Sequence, residues 1–501
     1  MIVSPASLRP ALPPMLPAIA AGGIAALVVV AVAAGMRAPA LVVVGLFAMV
    51  GGLWFSGNCR LALLWGLMLS APLALAKKFV DRPHMGGSGA YMVEAVDFFV
   101  VGLALFLLRD LITGARRGLR ITAVGGWWIA MILLGLTSVA IGPYRQAAME
   151  EIFQMTKALA LFVVLVNELV RSRQILHAAV ALGLGVFGEA LVAAGELAHH
   201  GALGLTMLGE ATSDTLAYAA RATYMDGGDV FRVGGLIGHP NLLAGYLAIL
   251  LPMLVATLFM PLATHWRIAA LAALLAGLAA LVLTLSRSGW IAFGAAFLLV
   301  VALSGVHPAM RRPHRSLRIA LLGTTAIGLL AIAPLILRRA TQSDPGALNF
   351  RYEWMDVAWA MVRAHPLLGI GLSAFTYNLP GVTRYGDASA LNDHFGPVWP
   401  VVHNIYLIVW AEQGTPAFLC FLAIYATLLR IGWRNLRVVG DARLHFLSIG
   451  LVAGIFASMI DGLGSFFLRN PPCGRVFWMV AALIVAIRRW QTLNVEPEQT
   501  A

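Results

Sequence analysis

Charge and cysteine are both scarce in this chain. Only 12% of its 501 residues are charged and 60% are hydrophobic, whereas soluble domains carry roughly a quarter charged residues. That excludes an ordinary water-soluble fold and predicts an integral membrane protein. The three cysteines, Cys59, Cys420 and Cys473, suggest no disulfide pair and no zinc framework. Walker, HExxH and dinucleotide-binding signatures are missing as well, so energy must come from a pre-activated donor or a gradient. The acid and glycine run "MDGGDV" (225–230) lacks the ligand count of a calcium loop, and neither a metal nor a cofactor is expected. The formal charge of +12 comes from 35 basic against 23 acidic residues. Because the arginines are scattered over many loops and do not line one face, no nucleic acid is expected as a partner.

What the chain has in abundance is apolar sequence in runs that suit a bilayer, about 17 to 25 residues each. Spans are expected at 16–35, 39–56, 60–76, 94–108, 121–141, 152–170, 175–196, 240–262, 267–285, 289–305, 319–337, 404–429, 444–461 and 475–488. The expected fold is an all-α polytopic transmembrane helix bundle of about 12–14 helices. Continuous apolar runs argue against a β-barrel, whose strands are short and alternate. Residues 1–35 are read as an uncleaved first helix and not as a signal peptide.

Short loops set the orientation. Arg109, Arg116, Arg117 and Arg120 share one side with Arg171 and Arg173, with Arg311, Arg312, Arg315 and Arg318, and with Arg430, Arg434, Arg437 and Arg443. That side is expected to be cytoplasmic, together with both termini. The chain then divides into N-terminal helices (1–196), an outside loop (197–239), central helices (240–337), a large outside loop (338–403) and C-terminal helices with a short tail (404–501). Loops of this length in compact proteins are usually functional or disordered. Within the second, "NFRYEWMDVAWAMVRAHP" (349–366) has apolar residues at helical spacing. It predicts an amphipathic helix at the outer bilayer surface, with Trp354 and Trp359 at headgroup level.

Four polar stretches converge on the outside face. "FRVGGLIGHPNLLAGY" (231–246) brings His239 and Asn241 to the start of a helix whose first residue is Pro240. "LTLSRSGWIAF" (283–293) sets Arg287 among hydroxyl side chains, where its planar fork suits a phosphate as readily as a membrane surface. Arg351 lies in the amphipathic helix, and His403 with Asn404 opens "HNIYLIVWAEQG". Lys77, Lys78, Arg82 and Arg145 are further outside cations that suit phosphates of a substrate or of lipid headgroups.

The order of "GHPNLLAGY", "SRSGW", "FRYEWMDVAWAMVRAHPLLGIGLSAF" and "HNIYLIVWAEQG" resembles the O-antigen ligase family, which also holds O-antigen polymerases and protein O-oligosaccharyltransferases. The resemblance covers roughly 230–430. It implies a bacterial inner-membrane enzyme with a periplasmic site that moves a glycan from undecaprenyl diphosphate to an acceptor, without nucleotide or metal. For a ligase the acceptor is lipid A-core oligosaccharide. The essential histidine and arginines of that family correspond to His403, Arg351 and Arg287, with His239, Asn241, Asn404, Arg145, Lys78 and Arg82 as candidate substrate-binding residues. A secondary transporter is the alternative of a different class. Lys157, Glu168 and Glu189, in or near expected spans, are the residues that favour it.

Overall fold

A computed structural model describes residues 57–79, 91–212, 221–223, 229–307, 314–341, 345–383, 386–395, 399–438 and 440–494. The expected spans 16–35 and 39–56, Arg82, and most of the "MDGGDV" run lie outside the described residues. Every other expected span has a helix. In chain order these are α1 (Cys59–Leu69), α2 (Ala95–Ile112), α3 (Ala123–Ile141), α4 (Arg145–Glu168), α5 (Ser172–His199), α6 (Pro240–Thr257), α7 (Thr264–Leu283), α8 (Arg287–Leu303) and α9 (Arg315–Thr341). They continue as α10 (Pro345–Ala364), α11 (Ala388–Phe395), α12 (Ile405–Leu436), α13 (Ala442–Asp461) and α14 (Pro471–Asn494). Among the described residues 7 helices are long and apolar enough to cross a membrane, and the bent pair within α9 makes an eighth. The protein is an all-α, multi-pass membrane bundle.

Helices α6, α13 and α14 form its centre, each with 83% of its apolar window buried inside the protein. Lipid tails are as apolar as leucine, so helices in a membrane associate by close packing and not by expelling water. α6 and α13 achieve this through Gly450 and Gly454, where any Cβ would run into the backbone of Met253 and Ile249. α12 is broken at Gly414, whose φ of 75° and ψ of −179° lie outside the helical region. The segment after α10 fills the break: Ile370 N–H donates to Ala411 O at 2.8 Å and Thr415 N–H to Pro366 O at 2.8 Å.

Three details differ from expectation. The span at 60–76 stops at Leu69, because Pro72 cannot continue a helix interior. The chain then forms strand β1 (Ala76–Lys78), antiparallel to β2 (Met92–Glu94). A second hairpin, β3 (Arg221–Thr223) with β4 (Asp229–Phe231), lies in the first long loop. Trp354 is fully buried and not at headgroup level, since Phe350, Phe375 and Phe395 surround it within 6.5 Å between ring centres. Trp359, by contrast, is 39% exposed.

Helix directions place one set of ends together. Ile405 N–H, at the start of α12, donates to Gly462 O at 2.9 Å, just past the end of α13. Leu372 N–H donates to Ser138 Oγ near the end of α3 at 3.0 Å, and Tyr144, just before α4, stacks on Tyr377 at 4.7 Å. The basic loops sit at the other ends, where Arg489 near the close of α14 donates to Val166 O near the close of α4 at 3.1 Å.

Candidate active site

His239 and Asn404 are both helix caps, and this fixes the geometry around them. A helix start leaves backbone N–H groups without partners, and a side-chain acceptor satisfies them. Asn404 Oδ1 accepts from Tyr406 N–H and Leu407 N–H, each at 3.0 Å, while its amide donates to Leu463 O at 3.2 Å. His403 is thereby held one residue outside α12, its ring 5.2 Å from that of Phe466. At the start of α6, His239 Nδ1 accepts from Asn241 N–H at 3.1 Å. Asn241 Oδ1 in turn accepts from Arg232 Nη2 at 2.5 Å.

The turn between α7 and α8 is clamped by two further guanidinium groups. Arg232 Nε donates to Thr284 O at 2.7 Å and Arg339 Nε to Leu285 O at 3.2 Å. Leu285 is held at φ 50°, a left-handed conformation that costs a non-glycine residue about 1–2 kcal/mol. Strain of this kind persists only where surrounding contacts over-determine it. The two clamps sit directly before Arg287, the first residue of α8.

Of the three residues expected to act together, Arg351 is coupled electrostatically to each of the other two. Arg351 lies within electrostatic reach of Arg287, Arg339 and Asp461, and His403 within reach of Arg351. His239 feels Arg232, His403 and Arg351. Burial, and after it the Arg287 and Arg339 charges, lower the Arg351 guanidinium below its ordinary value. Burial, and then Arg351, push His403 down to about 4. Burial, then Arg232, His403 and Arg351, push His239 down to about 3. Both imidazoles are therefore neutral at physiological pH. Four guanidinium groups and two neutral imidazoles, with the Asp461 carboxyl facing Arg351, make an electropositive cluster that suits an anion.

Other candidates have no described tie to the cluster. Arg145 is exposed at the start of α4, and Lys78 ends β1. Arg232, Arg339, Ser288 and Asp461 belong to the site although the sequence reading did not single them out. Asp461 is fully buried beside Ser288 and faces Arg351. An acid closing an apolar run is a signal that could have found it. Arg339 is one of two basic residues in the last turn of α9.

The residues that favoured a transporter have local structural partners. Lys157 pairs with Glu94 and Asp97, each at 2.8 Å, and Glu168 faces Arg60 at 3.8 Å. Glu189 accepts from Leu236 N–H at 3.0 Å, and its neighbour Glu196 accepts from Gly234 and Gly235 N–H at 2.8 and 2.9 Å. These two acids brace the loop that leads to His239. Glu412 acts similarly across the break in α12, accepting from Ser373 and Phe375 N–H at 3.1 Å each and from Arg469 at 2.6 Å.

Compared with known families, residues 252–422 match the model described as O-Antigen ligase. The chain carries an O-antigen ligase family domain. The matched segment contains Arg287, Arg339, Arg351, His403 and Asn404, while His239, Arg232 and Asp461 join the cluster from outside it. Members of this family are membrane glycosyltransferase-like enzymes that use lipid-linked glycans. No curated protein matches the chain.

Proposed function

We propose that this protein is an O-antigen ligase, transferring O-antigen polysaccharide from undecaprenyl diphosphate to lipid A-core oligosaccharide at the periplasmic face of the inner membrane. The observation that supports the reading is that Arg351 lies within electrostatic reach of both His403 and Arg287 where helix ends come together. A diphosphate leaving group gains negative charge as its bond to the sugar breaks, and preorganised cations in a partly desolvated recess stabilise that charge. The acceptor hydroxyl is a poor nucleophile at neutral pH, and a positioned base accelerates its attack by roughly 10²- to 10⁴-fold. His403 is that base. The hydroxyl oxygen bonds to the anomeric carbon, its proton passes to His403, and the electron pair of the broken C–O bond leaves with the diphosphate. A single displacement of this kind inverts the anomeric centre, so a trapped glycosyl-enzyme would contradict it.

The low pKa of His403 fits this scheme once the donor is considered. An anionic diphosphate among Arg287, Arg339 and Arg351 offsets their charge and raises the imidazole towards the range where a base works best near neutral pH. Asn404 positions the histidine by capping α12. Arg145, Lys78 and Arg82 are left as candidate contacts to substrate or lipid phosphates.

In cells with intact polysaccharide synthesis, His403→Ala should leave the protein in the membrane, accumulate lipid-linked polymer and abolish capped lipopolysaccharide. Unchanged capping would remove His403 from the mechanism. Single repeat units in place of polymer would instead indicate an O-antigen polymerase. Glycan missing from a protein acceptor would indicate a protein O-oligosaccharyltransferase. Reconstitution with purified donor and each acceptor, in chelator and without nucleotide, tests acceptor class and cofactor need together.

A further inference from the structure

Two neutral imidazoles share the recess, and the way each is held gives them different chemistry. His239 Nδ1 is already used as an acceptor for Asn241 N–H at 3.1 Å. A neutral ring that accepts through Nδ1 must carry its proton on Nε2. To take a second proton the ring would have to release the cap, whose loss alone destabilises a helix. The new charge would also face Arg232, Arg351 and His403 and the positive end of α6. His403 is under no such restriction, because Asn404 caps α12 in its place.

Resting on the ligase reading above, we propose that His239 is a fixed neutral hydrogen-bond donor, its Nε2–H contacting the diphosphate of the lipid-linked donor, while His403 alone changes protonation. The depressed pKa of His239 agrees with this assignment. A neutral imidazole at a helix start is well suited to polarise an oxygen without transferring a proton, since its ionised form is disfavoured there. Arg232 supports the arrangement through Asn241, whose side chain it holds at 2.5 Å. Arg232 is thus a positioning residue.

The experiment compares wild type, His239→Ser, His239→Ala and His403→Ser in nanodiscs, measuring binding of sugar-free undecaprenyl diphosphate and the pH dependence of transfer. Serine still caps α6 but cannot reach as an imidazole does. His239→Ser should therefore melt close to wild type and above His239→Ala, bind the diphosphate lipid roughly 10- to 100-fold more weakly, and keep the acid limb of kcat/KM. His403→Ser should bind the lipid within a few-fold of wild type and lose that limb. Nitrogen-15 spectra of wild-type histidines should show a ring fixed in the Nε2–H form from pH 8 to 5 that disappears in His239→Ser. Wild-type affinity in His239→Ser, or loss of the acid limb there with its retention in His403→Ser, would overturn the assignment while leaving the ligase reading intact. No binding of the lipid by wild type would overturn both.

Discussion

Lowering the pH through the His403 titration probes the recess most directly. A free imidazole titrates near about 6.5, whereas burial, and after it the Arg351 guanidinium, hold His403 at about 4. That difference corresponds to about 3 kcal/mol, and at pH 7, about three units above the folded value, roughly one ring in a thousand is protonated. A base acts in its neutral form. Activity should accordingly be lost as pH falls, and kcat/KM, which reports the free enzyme, should hold steady to about pH 5 and halve near about 4, not near 6.5. Stability carries the same sign, since the folded state disfavours the imidazolium and weakens as pH falls from about 6.5 towards the folded value. Arg351→Gln removes the smaller of the two causes, so the His403 titration should rise yet stay below that of a free histidine. The kcat limb, which reports the donor-bound enzyme, should lie above that of kcat/KM because the diphosphate offsets the arginines. The assay is transfer in nanodiscs between pH 8 and 4, with near-ultraviolet circular dichroism to confirm the fold and carbon-13 histidine spectra to follow the ring. A wild-type kcat/KM limb near 6.5 would refute the reasoning. So would the same limb persisting in His403→Gln.

Glu412→Ala strands two buried backbone donors, Ser373 and Phe375, and removes the close partner of Arg469. At about 1–3 kcal/mol per buried unsatisfied group, the loss should exceed about 3 kcal/mol, with Glu412→Gln milder, and thermal unfolding in nanodiscs reads the difference. Gly414→Ala forces a Cβ into the Leu367 backbone at a φ that favours glycine. It should lower the melting temperature by several degrees, and a wild-type melt would show that the break in α12 relaxes freely. In a cysteine-free background, Arg145→Cys on the site face should react with an impermeant maleimide in intact spheroplasts, and Arg437→Cys only after permeabilisation. The reverse pattern would turn the recess towards the cytoplasm and end the ligase reading.

Hydropathy along the chain determined where the helices run, because the free energy of placing a segment in lipid is summed over that segment alone. The spans from 94 to 488 all recur as helices, and Pro72 explains why the one at 60–76 falls short. Local chemistry also placed Asn404 and His239 at helix starts, since polar residues before an apolar run are a short-range signal, and the structure makes each of them the cap. Partnership between distant elements was decided only by the tertiary structure. Arg232 and Arg339 join the recess because they grip adjacent carbonyls, Thr284 and Leu285, from opposite sides in sequence. Trp354 is buried because Phe375 and Phe395 fold over it from the following loop, and Glu189 becomes a brace because the loop at Leu236 returns to it. Such contacts depend on how helices cross and in what order they are wound. No single stretch of sequence encodes that order.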